Sequence, residues 1–209
     1  MKKGIPRAND NSIEVRYKDK FLLRPTTQKD NEFQLYMRNH KIAKRYLSNP
    51  DVEISSDDQE KWYNEVYKNS PEQQRFILEK NGDLAGTLSL LYINLEDSYC
   101  EAGIIISPKF WGGNSASVGT NLLGEYIFGH MGLKTTFATT NKKNTSSLVK
   151  MLDAGFIRIP GDDFDQMEGL QAKNNENHYK IKSDWFDSWN NVQINTNFDP
   201  KNLNNFPKN

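Results

Sequence analysis

Apolar and polar residues alternate with a period of two in several short segments, which predicts a protein built largely on strands. The apolar residues Ile13, Val15 and Tyr17 fit a possible edge strand. The further predicted strands are residues 21–25, 75–79, 84–93, 99–107, 134–140, 156–159 and 178–182. The turn Asn81-Gly82-Asp83 separates two of them and predicts a β-hairpin.

Helical spacing appears between these strands. Thr27 precedes Asp30 by three residues, a typical helix start, and a second helix beginning at Ser55 or Ser56 is predicted to carry Trp62 and Val66 on one face. A third helix follows Gly112 and Gly113 and runs to about Phe128. A fourth occupies residues 145–154 and ends before Gly155.

This order of elements predicts an α+β fold with a central mixed sheet flanked by helices. A length of 209 residues suits one domain. We expect an N-terminal extension at 1–20, the domain at 21–189 and a flexible, Asn-rich tail at 190–209, because the tail lacks periodic apolar residues.

The composition argues against several classes of function. Lys+Arg and Asp+Glu both number 27, and this balance argues against a nucleic-acid partner. No apolar run has membrane-spanning length, and the first residues do not form a signal peptide. The single cysteine, Cys100, fits a reducing cytoplasm and is expected to be a small core residue. The histidines show no metal-ligand spacing, so no metal is expected: His40, His130 and His178.

The segment from 100 to about 128 carries the clearest chemical signal. A strand (CEAGIIIS) leads into a glycine-containing turn (PKFWGGNSAS) and then a helix. This arrangement directs several backbone N–H groups and the positive end of the helix dipole towards one point. It therefore predicts a site for a pyrophosphate.

The span from Phe21 to Lys182 resembles the GNAT acetyltransferases, nearest to the branch that contains ribosomal-protein alanine and amino-sugar N-acetyltransferases, including those of the pseudaminic-acid pathway. The resemblance rests on FLLRPTTQKD at 21–30, RNH at 38–40, KNSP at 68–71, GDLAGTLSLLYIN at 82–94 and NTSSLVKMLDAGF at 144–156. These pieces are specific in combination, whereas each one alone is a weak signal.

The resemblance implies acetyl-CoA as co-substrate and direct transfer of its acetyl group to a primary amine. The cofactor-binding residues that it implies are Ile104, Ile105, Ile106, Trp111, Gly112, Gly113, Asn114, Ser115, Ala116, Ser117, Asn144 and Ser147. The chain departs from the family's pattern in the loop, where Trp111 replaces a polar residue and Asn114 replaces a glycine. Asn tolerates the left-handed conformation, so we expect Asn114 to preserve the loop. Met151 stands where many members have the tyrosine that protonates the thiolate.

Two residues are candidates for handling the proton of the acceptor amine, which must be neutral to attack a thioester. Glu101 begins the strand beside the expected thioester, and the family often has a glutamate there; it is otherwise a solvated or ion-paired carboxylate. Ser89 matches an active-site serine of the amino-sugar enzyme; it is otherwise a hydroxyl that bonds within its strand.

Other candidates also have a structural alternative. Asn144 and Ser147 are expected to contact CoA, but Asn144 also stands where it could cap a helix. Trp111 could stack on adenine, line the acceptor site or, as the default, cover the core. The resemblance places acceptor binding at Arg38, Asn39 and His40, which could equally form a solvated helix end.

The acceptor itself is the least specified feature. The resemblance favours an amino sugar linked to a nucleotide, with a protein N-terminus or a polyamine as the alternative. A non-catalytic CoA-binding protein with a decayed motif is a third reading. We expect a monomer or homodimer that contacts neither membrane nor nucleic acid.

Overall fold

The computed structural model describes residues 13–47, 49–160, 176–182 and 192–195. Within these ranges the strands are β1 (Glu14–Tyr17), β2 (Phe21–Pro25), β3 (Gln74–Lys80), β4 (Asp83–Asn94), β5 (Tyr99–Ile106), β6 (Thr135–Asn141), β7 (Ile157–Ile159), β8 (Glu176–Lys182) and β9 (Val192–Asn195). The helices are α1 (Asn31–Asn39), α2 (Ser56–Lys61), α3 (Ser115–Gly124) and α4 (Thr145–Asp153).

All nine strands belong to one sheet in the order β7-β8-β6-β5-β4-β3-β2-β1-β9. Neighbouring strands run antiparallel, apart from the parallel pair β5 and β6. The predicted α+β fold with a mixed sheet is therefore confirmed. No helix within the described ranges is long and apolar enough to span a membrane.

The two faces of the sheet differ in chemistry. The larger apolar core lies under α3, where a Cβ placed on Gly119 would lie only 3.1–3.6 Å from the side chains of Leu78, Leu88 and Ile104. Helix α1 begins on the other face, where Asp30 forms hydrogen bonds with the buried side chain of Arg24. Strand residues alternate between faces, so polar residues of β3 share the α1 face with Arg24.

The second helix differs from its prediction. α2 continues through a π-helical turn at Trp62–Val66 and a 3-10 turn at Tyr67–Asn69. The altered winding buries Tyr63 and Tyr67, while Val66 is 48% exposed. The expectation that Trp62 and Val66 share the packed face is wrong.

Strands β1 and β9, which are far apart in the sequence, lie side by side in the sheet. β1 is hydrogen-bonded to β2 on one side and to β9 on the other, so it is not an edge strand. β9 falls inside the segment predicted as a flexible tail, so that expectation is wrong for Val192–Asn195. Four residues are too few to show a period, which explains why the sequence does not reveal them. The other residues of the tail lie outside the described ranges.

Candidate active site

The sheet opens between its two parallel strands. Pairing of β5 with β6 covers three positions and ends at Glu101 and Phe137. Beyond them, β5 continues to Ile106 along β4 while β6 continues to Asn141 along β8. The wedge between the diverging strands leaves main-chain groups of β5 available to a bound molecule.

The direction of the β5 hydrogen bonds identifies those groups. Ser107 N donates to Ala85 O at 2.8 Å, so the main-chain groups of Ile105, two residues earlier, also face β4. Those of Ile104 and Ile106 face the wedge, which fits their predicted role in holding a thioester carbonyl. The structure does not bring the main chain of Ile105 to this position, because that residue pairs with Thr87.

Trp111 lies over the end of the wedge. Its indole Nε1 donates to Ile106 O at 2.8 Å, and the residue is 48% exposed. The default expectation of core packing is therefore wrong. A fixed, exposed indole plane beside the opening is a surface on which a flat ring can stack.

The loop before α3 has the geometry of an anion site. Gly112 adopts φ +74°, whereas Asn114 has φ −92° and its carbonyl accepts the first helical hydrogen bond, from Val118. The left-handed residue is therefore Gly112, and the tolerance of Asn114 for that conformation, on which the sequence expectation relied, is not used. The N–H groups of Ser115, Ala116 and Ser117 open the helix and have no carbonyl one turn earlier to receive them. Ser115 is fully buried, whereas Ala116 and Ser117 are partly exposed, so the accessible groups of this turn come from those two residues.

Lys80 is a cation beside this loop that the sequence analysis did not single out. Its Nζ lies 3.9 Å from a Cβ placed on Gly113 and 5.9 Å from the ring centroid of Phe110. The signal was present in the hairpin prediction, since a turn at residues 81–83 brings the end of β3 to the edge of the sheet where β5 ends. The ammonium can attract a phosphate held by the loop.

Glu101 and Ser89 lie on the same face, near the point where the strands separate. Thr139 Oγ1 on β6 donates to Glu101 Oε1 at 2.9 Å, across the opening. Ser89 is buried and pairs with Gly103, where an added Cβ would lie 2.7 Å from Ser89 Oγ. The absence of a side chain at Gly103 thus leaves room beside both candidates.

Asn144 caps a helix, which is the structural role considered for it above. Ser147 N donates to Asn144 Oδ1 at 3.2 Å, so Asn144 caps α4. Ser147 Oγ lies 3.7 Å from Sδ of Met151, which packs against a small cluster that includes Phe156 and Tyr179. Contact of Asn144 and Ser147 with CoA stays a prediction.

The three predicted acceptor residues have different roles. Asn39 holds the loop after α1 closed, since its side chain exchanges two hydrogen bonds with the main chain of Ile54 at 2.7 and 3.0 Å. His40 ends α1, and its Nδ1 accepts from Ala43 N at 3.4 Å. The side chain of Arg38 is exposed and acts electrostatically on Arg75 of β3, a residue that the sequence analysis missed.

Two other chemistries receive no support. Burial raises the pKa of the Cys100 thiol to about 12, so Cys100 is a core residue and not a nucleophile. Within the described ranges, His, Cys, Asp and Glu side chains form no group of three able to hold a metal ion.

Known proteins agree with this geometry. Residues 20–157 match the family model described as acetyltransferase (GNAT) domain. The chain belongs to the GNAT acetyltransferase family. It is an N-acetyltransferase that uses acetyl-CoA. The family match does not support the alternative of a non-catalytic CoA-binding protein.

Relatives in this family include the spermidine N(1)-acetyltransferase of Escherichia coli K12, which is 25% identical over 134 residues, or 64% of this chain and 71% of the relative. Among solved structures, the spermidine N-acetyltransferase from Vibrio cholerae in complex with CoA and spermine is similar with a TM-score of 0.67 at 21% identity. The similarity covers 80% of this chain and 98% of that one. A dodecameric structure of the Vibrio cholerae enzyme gives a TM-score of 0.62 at 21% identity, over 79% of this chain and 95% of that one.

Proposed function

We propose that this N-acetyltransferase acetylates a primary amine of a small molecule and that Glu101 accepts the proton of that amine. The observation that carries the proposal is the position of Glu101 at the last pair before β5 and β6 separate, with Thr139 donating to its carboxylate. The hydrogen bond from Thr139 fixes the orientation of the carboxylate beside the opening, and a general base must lie within reach of the proton that it accepts.

The reaction follows from the groups around the wedge. The thioester carbonyl accepts from a main-chain N–H of Ile104 or Ile106, which stabilises the negative charge that develops on its oxygen. The neutral amine attacks the carbonyl carbon, the C–S bond breaks, and the leaving CoA thiolate takes up the proton that the attacking nitrogen loses, directly or through water. The ammonium proton passes to Glu101, directly or through water.

The cofactor's remaining contacts come from the loop and from α3. We propose that the pyrophosphate lies on the N–H groups of residues 112–117, with Lys80 as a neighbouring cation. Trp111 is proposed to stack on the adenine or line the acceptor side of the opening.

The relatives favour a polyamine as the acceptor, because their names describe spermidine acetylation. They do not support the amino sugar linked to a nucleotide that the sequence resemblance favoured. A second candidate is an amine that also carries an anionic group, and the observation that favours it is the guanidinium Nε of Arg75, which is buried and has no hydrogen-bond partner among the described residues.

The assignment of the base is tested by Glu101→Gln in an assay of thiol release from acetyl-CoA, with a panel of amines. Glu101→Gln keeps the shape of the side chain and removes its basicity, so kcat should fall by about a hundredfold to ten-thousandfold. Binding of acetyl-CoA should change little, because the residue acts on the amine.

Ser89→Ala is the matched control on the neighbouring strand. If Ser89→Ala abolishes turnover while Glu101→Gln costs less than about threefold, the base is Ser89. If neither substitution changes kcat, the amine loses its proton to water and the role proposed for Glu101 is wrong.

A further inference from the structure

Arg75 is a largely buried cation that has no acidic partner among the described residues. It lies on β3 with its guanidinium 5.4 Å from the centroid of the Trp62 ring. Its Nε is buried and has no hydrogen-bond partner among the described residues. Arg75 Nη2 donates a long hydrogen bond, of 3.4 Å, to Gln73 Oε1.

A second arginine, Arg38, lies in the last turn of α1, which packs against β4, the strand next to that of Arg75. The pKa of Arg75 is lowered to about 10, first by burial and then by the like charge of Arg38. Partial desolvation also lowers the pKa of Arg38, although the residue as a whole is exposed. Both guanidiniums are protonated at neutral pH, and neither forms an ion pair within the described residues.

The sheet places this pair beside the reaction. Arg75 pairs with Ser89 on β4, and Ser89 pairs with Gly103 on β5, so the three residues form a row on one face. Glu101 precedes Gly103 by two residues and lies on that same face. Two strand spacings separate Arg75 from Gly103, or roughly 10 Å between main chains, which an arginine side chain can partly cross.

We propose that Arg38 and Arg75 bind an anionic group, a carboxylate or a phosphate, of the same small molecule whose amine is acetylated. The inference rests on the proposed function, and it names the class of acceptor. Guanidiniums bind both anions through paired N–H groups, and a buried Nε without a partner is a donor available for one. A polyamine has only positive groups to offer, which the two arginines repel.

The test is calorimetry on the full chain saturated with CoA, which requires no turnover. Two matched pairs of amines are titrated: glucosamine 6-phosphate with glucosamine, and glycylglycine with its amide. We expect the anionic member of at least one pair to bind tenfold or more tightly than its neutral partner. The reason is that a hydrogen bond to a charged group contributes about 1.5–3 kcal/mol to the free energy of binding. The pair with the larger ratio distinguishes a phosphate from a carboxylate.

Arg38→Gln should remove most of that preference, and because Arg38 is exposed the variant should fold. Arg158→Gln on β7 removes the same charge from another exposed position and should leave the preference intact. Arg75→Gln should act like Arg38→Gln if it folds.

Equal binding within both pairs overturns the proposal, as does tighter binding of spermidine than of every anionic amine. An unchanged preference in Arg38→Gln and Arg75→Gln overturns it as well. The proposed function has its own test: it is wrong if no amine stimulates release of CoA from acetyl-CoA. In that case the preference measured by calorimetry still decides whether the two arginines bind an anionic group.

Discussion

Two arginines on the same face of the sheet are treated in opposite ways. Arg24 on β2 donates to Glu79 at 2.6 Å and to both carboxylate oxygens of Asp30 at 2.8 Å. Burial alone would lower the pKa of Arg24, but the hydrogen bonds and charges of Asp30 and Glu79 raise it overall. Arg75 on the adjacent strand has a lowered pKa and, within the described residues, no acidic partner.

The contrast separates structure from function. A buried charge is costly unless it is paired, and the Arg24 cluster shows how this fold pairs one. A chain under selection for stability alone gains nothing from a second buried guanidinium left beside a like charge. The lack of an acidic partner for Arg75 among the described residues therefore supports the proposal of a ligand whose own charge completes the site.

The largest effect is expected when the paired arginine is removed. Arg24→Met leaves Asp30 and Glu79 buried without their cation, so the free energy of unfolding should fall by about 3–5 kcal/mol. Urea denaturation followed by tryptophan fluorescence measures it. A loss below about 1 kcal/mol would place this cluster with ordinary surface ion pairs and remove the contrast with Arg75.

The next effect tests whether Arg75 can be silenced by a neighbour. Gln73→Glu is isosteric and places a carboxylate oxygen near Arg75 Nη2, where the amide oxygen now lies at 3.4 Å. The new carboxylate would pair with Arg75 and compete with the anionic group of the ligand. The loss of one charge-assisted hydrogen bond, about 1.4 kcal/mol, should reduce the preference for anionic amines by about tenfold.

Asn121→Asp is the matched control, because α3 packs on the opposite face of the sheet. It adds the same charge and should leave the preference unchanged. If both substitutions reduce the preference equally, the effect is one of net charge and not of the site at Arg75.

A smaller effect is expected on stability when the unpaired arginine is removed. Arg75→Met keeps the length of the side chain, loses the contact with the Trp62 ring and relieves a buried charge. These terms oppose each other, so the free energy of unfolding should change by less than about 1 kcal/mol. A loss near that of Arg24→Met would show that Arg75 has a structural role.

The smallest effect concerns pH. A group whose pKa is about 10 loses its proton only as pH rises through that value, so Arg75 stays charged from pH 7 to pH 9. The ratio of kcat/KM for glucosamine 6-phosphate over glucosamine should therefore change little over this range, because titration of the amine affects both substrates alike. A steep fall in that ratio between pH 7 and pH 9 would assign the preference to a group other than these arginines.

The sequence allowed prediction of the features that arise from local pattern. The alternation of apolar and polar residues predicts most of the strands of the sheet. The turn at residues 81–83 predicts the hairpin, and the glycines before α3 predict the loop that leads into that helix. The family resemblance added the cofactor and drew attention to Glu101. These features depend on residues close together in the chain, which is why they were accessible.

The rest depends on contacts between distant segments. The site at Arg75 requires β3 to lie beside β4 and against Trp62 and Tyr67, in the turns that follow α2. Neither its burial nor the lack of an acidic partner among the described residues can be judged from its neighbours in the chain. The choice of Gly112 over Asn114 as the left-handed residue is set by how the loop enters α3. β9 is held by pairing with β1, from the other end of the chain.

The most direct test of the central claim is the ratio of kcat/KM for glucosamine 6-phosphate over glucosamine, measured by thiol release in the unmodified chain and in Arg38→Gln. If the two arginines bind an anionic group of the acceptor beside the acetyl-transfer site, the ratio should exceed about 10 in the unmodified chain and fall towards 1 in the variant. A ratio near 1 in both proteins, with spermidine acetylated more efficiently than either sugar, would contradict the account.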